Sequence, residues 1–304
     1  MNFSDSLESV FSAAGELGCE VRRNESLKGY TSFKIGGICD GVIVLDSEEA
    51  CCKLPMKCRS EGIPFYIFGK GSNLIVSDGK ISGIVFVFGE KLSDINVSGN
   101  IVSAGAGASF TRLAVRAAEN SLSGLEFAYG IPGSVGGAVY MNAGAYGGET
   151  KDVIRSVRAV CPDGTVREFG SDELEMSYRK SIFSGSDMII ISADFALQSG
   201  EKSEIKAKMD DLMSRRREKQ PLEYPSAGST FKRPEGSYAS LLIDRCGLKG
   251  RSVGGAEVST KHAGFIVNKG GAAYSDLMQL IDIVKKEVYE KTGYTLECEP
   301  VIIK

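Results

Sequence analysis

The sequence predicts an α+β protein, with two mixed lobes followed by a separate third domain. Short apolar runs of strand character alternate with segments whose apolar residues recur at helical spacing. Two glycine-rich turns, Gly69–Val76 and Tyr129–Gly148, punctuate the first two thirds of the chain. Composition then shifts at Gln198-Ser199-Gly200-Glu201 to a charged helix. The expected divisions are therefore 1–90, 91–199 and 200–304.

Residues 4–18 set Leu7, Val10, Phe11, Ala14 and Leu17 at helical spacing and close on Gly18. After Thr31–Gly37 comes a strand over Gly41–Leu45. A helix over Asp46–Arg59 follows, capped by Asp46 or Ser47, with Leu54 and Cys58 turned inward. Phe65–Phe68, Leu74–Val76 and Ile84–Val87 are expected to complete a small β–α–β–β unit.

In the second lobe Ile101–Ala104 reads as a strand. Ser109–Glu119 reads as a helix facing inward through Phe110, Leu113, Ala114 and Ala117. Val157–Val160 and Val166–Phe169 flank the turn Pro162-Asp163-Gly164 as a hairpin. Met188–Leu197 is apolar enough for a central strand. In the third domain Ser203–Lys219 is a helix stopped by Pro221, and Ser275–Lys291 is a helix ended by Gly293. Strand candidates lie around Thr230, Phe265–Val267 and Thr295–Ile303.

Seven of the twenty residues in Tyr129–Gly148 are glycine, and glycine loses the most entropy on folding, so the density needs a reason. Tight turns that aim backbone N–H groups at an anion, most often a phosphate, supply one. A flexible linker is the simpler explanation, but Ile131, Val135, Val139, Tyr140 and Met141 are too apolar for it. Gly69–Val76, GKGSNLIV, follows one apolar run and leads into another, so it reads as strand, turn, strand. It lacks the GKS or GKT of a P-loop and opens no helix, which argues against the usual mononucleotide and dinucleotide folds. Two such turns about sixty residues apart suggest one diphosphate cofactor gripped between two lobes.

With 304 residues, 42% of them apolar and 25% charged, the chain has the composition of a soluble globular protein. A net charge of −3 gives no reason to expect nucleic acid, and the basic run Arg215–Lys219 fits a solvated helix face. No apolar run reaches membrane-spanning length, and MNFSDSLESVF has no secretory pattern, so neither membrane nor export is expected. The eight cysteines form no CxxC pair, which points to free thiols in a reducing cytosol. Because His262 is the only histidine, any mechanism built on two is excluded, and no metal is expected.

Chemistry then falls to Arg, Ser, Glu, Lys and Tyr, and three places stand out. SYRKSIF sets Tyr178 and Arg179 among small and apolar residues; SAGSTFKRP presents Ser229 in a small-residue turn; LECEPV puts Glu297 and Glu299 in a C-terminal strand. Taken singly each has an ordinary explanation: a surface ion-pair partner, turn chemistry, a solvated carboxylate. Glu297 and Glu299 share a face of an extended strand, so parity does not choose between them.

GKGSNLIV, YGIPGSVGGAVYMNAGAYGG, SYRKSIF, SAGSTFKRP, KHAGFIVN and LECE, in this order, closely resemble the UDP-N-acetylenolpyruvoylglucosamine reductase family over roughly residues 30–300. The chain is similar to the shorter of that family's two types, which lacks an additional tyrosine-bearing loop. The resemblance implies an FAD-binding fold of the vanillyl-alcohol-oxidase (PCMH) kind. Its lobes would be 1–90 with the N-terminal helix and 91–199. A C-terminal α+β substrate domain, 200–304, would return its last strand toward the active site. Lys70, Gly71, Ser72, Asn73, Leu74, Gly133, Ser134, Gly136, Gly137, Ala138 and Asn142 would hold FAD noncovalently, with NADPH as co-substrate.

The implied reaction reduces the enolpyruvyl ether of UDP-N-acetylglucosamine to UDP-N-acetylmuramate for peptidoglycan synthesis in the cytoplasm. Arg179 and a protonated Glu299 would stabilise developing enolate charge, and Ser229 would supply the proton. Burial would keep the Glu299 carboxyl protonated. Tyr178, Lys219, Lys232 and Arg233 would bind substrate, and a monomer is expected. His262 would serve packing or hydrogen bonding. The family usually carries Pro between the two terminal glutamates, then Val and Arg; here Cys298 and Pro300 stand instead. Two rival readings are a flavin oxidase of the same fold acting on an alcohol, and a catalytically silent sugar-nucleotide binder. The first leaves SAGSTFKRP and LECE unexplained, and the second would have lost Arg179, Ser229 and the terminal Glu.

Overall fold

Helix α1 (Phe3–Glu16) begins where the Asn2 side chain accepts the Asp5 N–H at 2.9 Å, and it buries Val10, Phe11 and Ala14. Helix α2 (Glu48–Glu61) is capped by Ser47, whose Oγ accepts from the Ala50 N–H at 3.1 Å. Pro55 lies inside α2 and removes one backbone donor, and burial of Ala50, Cys51, Leu54 and Cys58 holds the helix in place. These residues are described in a computed structural model covering residues 2–304. The chain forms two units. One comprises the residues through Asn24 with Asp40–Lys70 and Ser82–Ser214; the other comprises Glu25–Cys39, Gly71–Ile81 and Arg215–Lys304.

The first unit holds two sheets. The four-stranded sheet runs Glu20–Ser26, Ile38–Leu45, Ile81–Phe88, Phe65–Phe68, and its last pair is parallel with Phe65 opposite Ile84. Its core packs Ile43, Leu45, Leu54, Ile84 and Phe86 with Val10 and Phe11. The five-stranded sheet runs Val166–Gly170, Ile154–Val160, Ile189–Ala196, Ile101–Gly105, Ile95–Ser98, all antiparallel. The long apolar run is thus the middle strand, as expected, and the hairpin forms where Pro162-Asp163-Gly164 predicted it. Helix α3 (Phe110–Glu119), capped by Ser109, lays Phe110, Leu113, Ala114 and Ala117 into that core. Helix α4 (Val135–Tyr140) forms inside the glycine-rich stretch.

Helix α5 (Lys202–Lys219) leads into the second unit. There α6 (Ala239–Arg245) and α7 (Tyr274–Thr292) pack with a three-stranded antiparallel sheet, Ser252–Val253, Ala256–Val258, Ile266–Asn268. The core includes Phe231, Leu242, Ile243, Leu277, Ile281 and Val284.

One expected strand changes place. Leu74–Val76 does not join Phe65–Phe68 and Ile81–Phe88; it pairs in parallel with Val301–Ile303 in the second unit. The reason is burial: Ile75 belongs to the core of that unit. Glu20–Ser26 and α6 are elements beyond those expected. The C-terminal strand starts only at Val301, directly after Pro300.

Candidate active site

In the first unit Gly69, which opens the first glycine-rich turn, meets Ser134 of the second. A Cβ added at Gly69 would collide with the Oγ of Ser134, so only a bare backbone fits there. Ser134 is buried, and its hydroxyl accepts from the Gly137 N–H at 3.2 Å, capping α4. The strip Gly133–Gly136 lies along Ala106–Phe110: Phe110 donates to Gly133 O at 3.0 Å, Val135 to Ala108 O at 2.8 Å and Gly136 to Ala106 O at 2.9 Å. Gly136 is glycine because a Cβ there would sit 3.0 Å from that of Ala106. The N–H groups of Gly136, Gly137 and Ala138 thus serve the protein's own fold, the last donating to Ser134 O. Gly69, Lys70 and Gly137 leave exposed main chain at this junction, which suits a diphosphate group.

Behind the strip, Asn142 is fully buried with a left-handed backbone, φ +42. Its Nδ2 donates to Glu149 Oε2 at 3.1 Å and to Ser177 O at 3.0 Å, and its Oδ1 accepts from the Lys151 N–H at 2.9 Å. Ser177 and Lys180 exchange backbone hydrogen bonds of 3.0 and 3.2 Å, closing a turn with Tyr178 and Arg179 at its tip. Arg179 is itself left-handed, φ +55, and its guanidinium lies 5.2 Å from the Tyr178 ring centroid. The Lys151 ammonium, bonded to Glu149 at 2.8 Å, holds that carboxyl below the usual range against the effect of burial; Asn142 and the charge of Arg179 add to the lowering.

In the second unit the segment Ser226–Lys232 threads between two others. Ser226 bridges Val267, and Thr230 donates to Gly264 O at 2.8 Å. On its other side Phe231 bridges Cys298, Lys232 donates to Glu297 O and Glu299 donates to Thr230 O at 3.0 Å. Ser229 and Glu299 therefore sit on adjacent, backbone-paired segments, each half-buried. Asn73 joins them: its side chain donates to Glu299 O at 3.4 Å, and its carbonyl accepts from Val301 at 2.9 Å. Ser72 is half-buried in the same loop, Gly71 is buried, and Leu74 starts the strand paired with Val301.

The geometry separates the two glutamates. Glu297 is exposed and forms an ion pair with Lys232 at 3.3 Å, whereas Glu299 is half-buried beside Thr230. Arg233 stacks over Tyr238, 3.9 Å from the ring centroid, and Lys219 is exposed at the end of α5. His262 accepts from the Gly264 N–H through Nδ1 at 3.2 Å and packs edge-on to Phe265. Sequence reasoning missed Glu149, which stands at the end of the hairpin Gly144–Ala145/Gly148–Glu149. It also missed Ser32, whose hydroxyl donates to Ser226 O at 2.6 Å. A lone carboxylate after Gly147-Gly148 was the only available signal for the former. Among the described residues no helix is long and apolar enough to cross a membrane.

Comparison with known proteins places these features. Residues 39–170, which contain both glycine-rich turns, match the FAD binding domain family. Residues 220–303 match the family described as UDP-N-acetylenolpyruvoylglucosamine reductase, C-terminal domain. The UDP-N-acetylenolpyruvoylglucosamine reductase of Syntrophomonas wolfei is 48% identical over 283 residues, covering 93% of this chain and 95% of its own. That of Clostridium novyi is 49% identical over 284 residues, covering 93% and 92%. The crystal structure of UDP-N-acetylenolpyruvylglucosamine reductase (MurB) from Thermus caldophilus superposes with a TM-score of 0.82 at 34% identity, covering 94% of this chain and 100% of that one. The fold is accordingly the FAD-binding PCMH kind with an α+β C-terminal domain, and the protein is an FAD-dependent oxidoreductase. The chain belongs to the UDP-N-acetylenolpyruvoylglucosamine reductase family.

Proposed function

We propose that this protein reduces the enolpyruvyl ether of UDP-N-acetylglucosamine to UDP-N-acetylmuramate, with NADPH as electron donor, as a cytoplasmic monomer in peptidoglycan synthesis. FAD, bound noncovalently, supplies the two-electron chemistry between NADPH and the methylene carbon of the substrate. The observation that supports this reading best is that the segments carrying Ser229 and Glu299 are joined by the 3.0 Å bond from Glu299 N–H to the carbonyl of Thr230, the residue after Ser229. It puts a hydroxyl and a carboxyl on neighbouring segments, as an enolate-forming reduction requires.

In this reading the Ser229 hydroxyl gives its proton to the carbon beside the substrate carboxylate. Arg179 and a protonated Glu299 carry the charge that develops on the enolate oxygens. The main chain at Lys70–Leu74 and that left exposed at Gly137 would hold the FAD diphosphate, with Gly133, Ser134, Gly136, Ala138 and Asn142 shaping the strip through their own hydrogen bonds. Tyr178, Lys219, Lys232 and Arg233 bind the sugar nucleotide, Lys232 and Arg233 by charge. Residues 1–90 and 91–199 act as the cofactor lobes and 200–304 as the substrate part.

The test is the visible spectrum of the purified protein under anaerobic conditions. A yellow protein that bleaches with NADPH and regains colour with the enolpyruvyl sugar nucleotide is the expected result. Indifference to NADPH would overturn the reading, and so would a colourless protein that does not take up FAD.

A further inference from the structure

Seven non-glycine residues in the described chain adopt positive φ, and two of them, Asn142 and Arg179, belong to the segments that the bond from Asn142 Nδ2 to Ser177 O joins. A left-handed backbone costs a residue such as arginine on the order of 1 kcal/mol or more, and it persists only where the surroundings impose it. Arg179 stands at the third position of the Ser177–Lys180 turn, where positive φ normally selects glycine or asparagine. Something must hold that turn from below.

The turn's first residue is held by Asn142. Its amide is fully buried, and its three hydrogen bonds go to three places: Glu149, Lys151 and Ser177. Asparagine tolerates the left-handed backbone found at Asn142. Glu149 completes the arrangement as an anion bonded to Asn142 and Lys151 and attracted to Arg179.

We propose that Asn142 and Glu149 are positioning residues that fix the Tyr178–Arg179 turn, so that the guanidinium meets the substrate's enolate oxygens in one orientation. Asn142 fixes the base of the turn through Ser177 O, and Glu149 biases the guanidinium through its charge. The proposal rests on the role given above to Arg179.

The test compares Asn142→Gly, Arg179→Ala and the double variant with the parent FAD-loaded protein. Glycine keeps the left-handed backbone and deletes only the amide. Flavin reduction by NADPH in each variant serves as its own reference rate, so that any effect on the bound FAD is divided out of the comparison. Flavin reoxidation by the enolpyruvyl sugar nucleotide is expected to slow roughly ten- to a hundredfold in Asn142→Gly. The double variant should be no slower than Arg179→Ala alone, because both changes act on one group.

In the protein free of ligand, hydrogen exchange at the Lys180 amide, which donates to Ser177 O, should quicken about tenfold in Asn142→Gly, with Ile189–Ala196 unchanged. Wild-type reoxidation in Asn142→Gly beside a slow Arg179→Ala overturns the clamp and leaves the functional reading standing. Wild-type reoxidation in Arg179→Ala removes the role of Arg179 itself. Should Asn142→Gly not retain FAD, Glu149→Gln replaces it, with reoxidation expected to slow at least about threefold. A wild-type rate there overturns the proposal.

Discussion

Gly69 of the first glycine-rich turn lies so close to Ser134 of the second that a single methyl group at Gly69 would overlap the Ser134 hydroxyl. That hydroxyl is not free to yield, because Ser134 is buried and caps α4 through the Gly137 N–H. Gly69→Ala should therefore push the two turns apart and lower FAD affinity at least about tenfold, some 1.4 kcal/mol. Titration of FAD into the apoprotein, followed by flavin fluorescence, measures this. An unchanged dissociation constant would show that the junction of the turns is not where the diphosphate rests.

Ser229 is set between two anchored neighbours, buried Ala227 and Thr230, with left-handed Gly228 before it. Its hydroxyl can be removed without disturbing them. Ser229→Ala should leave flavin reduction by NADPH unchanged and slow turnover of the sugar nucleotide by roughly a hundred- to ten-thousandfold, the range for a lost general acid. Rapid-mixing absorbance at the flavin band separates the two half-reactions. Equal slowing of both would mean that the residue supports binding of the cofactor rather than protonation.

Glu299 offers a comparison between two substitutions. If its carboxyl acts as a hydrogen-bond donor, an amide can replace part of that donation and a methyl group cannot. Glu299→Gln should retain at least about tenfold more turnover than Glu299→Ala, the scale of one oxyanion-type donor. Equal activities would remove the donor role. Glu297→Gln loses only an exposed ion pair with Lys232, so steady-state turnover should change little.

Where periodicity was strong, the sequence was readable. The stripes of α3 and α7 and the apolar run of Ile189–Ala196 took the places their patterns required. Glu20–Ser26, EVRRNES, was not readable because neither face is apolar; it lies at the edge of its sheet. The partner of Leu74–Val76 was hidden for another reason. Asn73 and Glu299 are 226 positions apart, and nothing local encodes so distant a pairing. At the candidate site, residue types pointed to Arg179, Ser229 and Glu299. Only the fold pairs the segment of Ser229 with that of Glu299, pairs Glu297 with Lys232, or gives Arg179 its left-handed backbone. Asn142 drew notice as the one amide in a glycine-rich stretch, yet its hydrogen bonds run inward to Glu149 and Ser177.

Phe110 links the core to the glycine-rich strip. Its ring is fully buried, edge-on to Phe127 at 6.1 Å and tilted against Phe195 at 6.4 Å, while its N–H donates to Gly133 O. Phe110→Ala should destabilise the protein by about 3–5 kcal/mol, the cost of a large buried cavity. Urea unfolding measures it, and a loss under about 1 kcal/mol would mean that the surrounding side chains close the space.

His262 provides a pH test with a single imidazole signal, because the chain has no other histidine. Burial holds its imidazole below the ordinary range, and the nearby charge of Lys249 adds to this, against a contact with its own backbone. The folded protein therefore resists a proton that the unfolded chain accepts near pH 6.5. The contribution to stability is complete above about pH 6.5 and is lost as pH falls toward the folded value, by about 1.4 kcal/mol for each unit between the two. Ordinary carboxylates titrate lower, and the difference between the parent protein and His262→Asn removes the share of a protonated Glu299 from the interval of about pH 5 to 7. The single imidazole Cε1–H resonance should titrate with a midpoint below about 6.5. His262→Asn should flatten the stability curve across the same interval while keeping an acceptor for the Gly264 N–H. A midpoint at or above the ordinary value would mean that the ring is open to water, and the packing role given to it would fail.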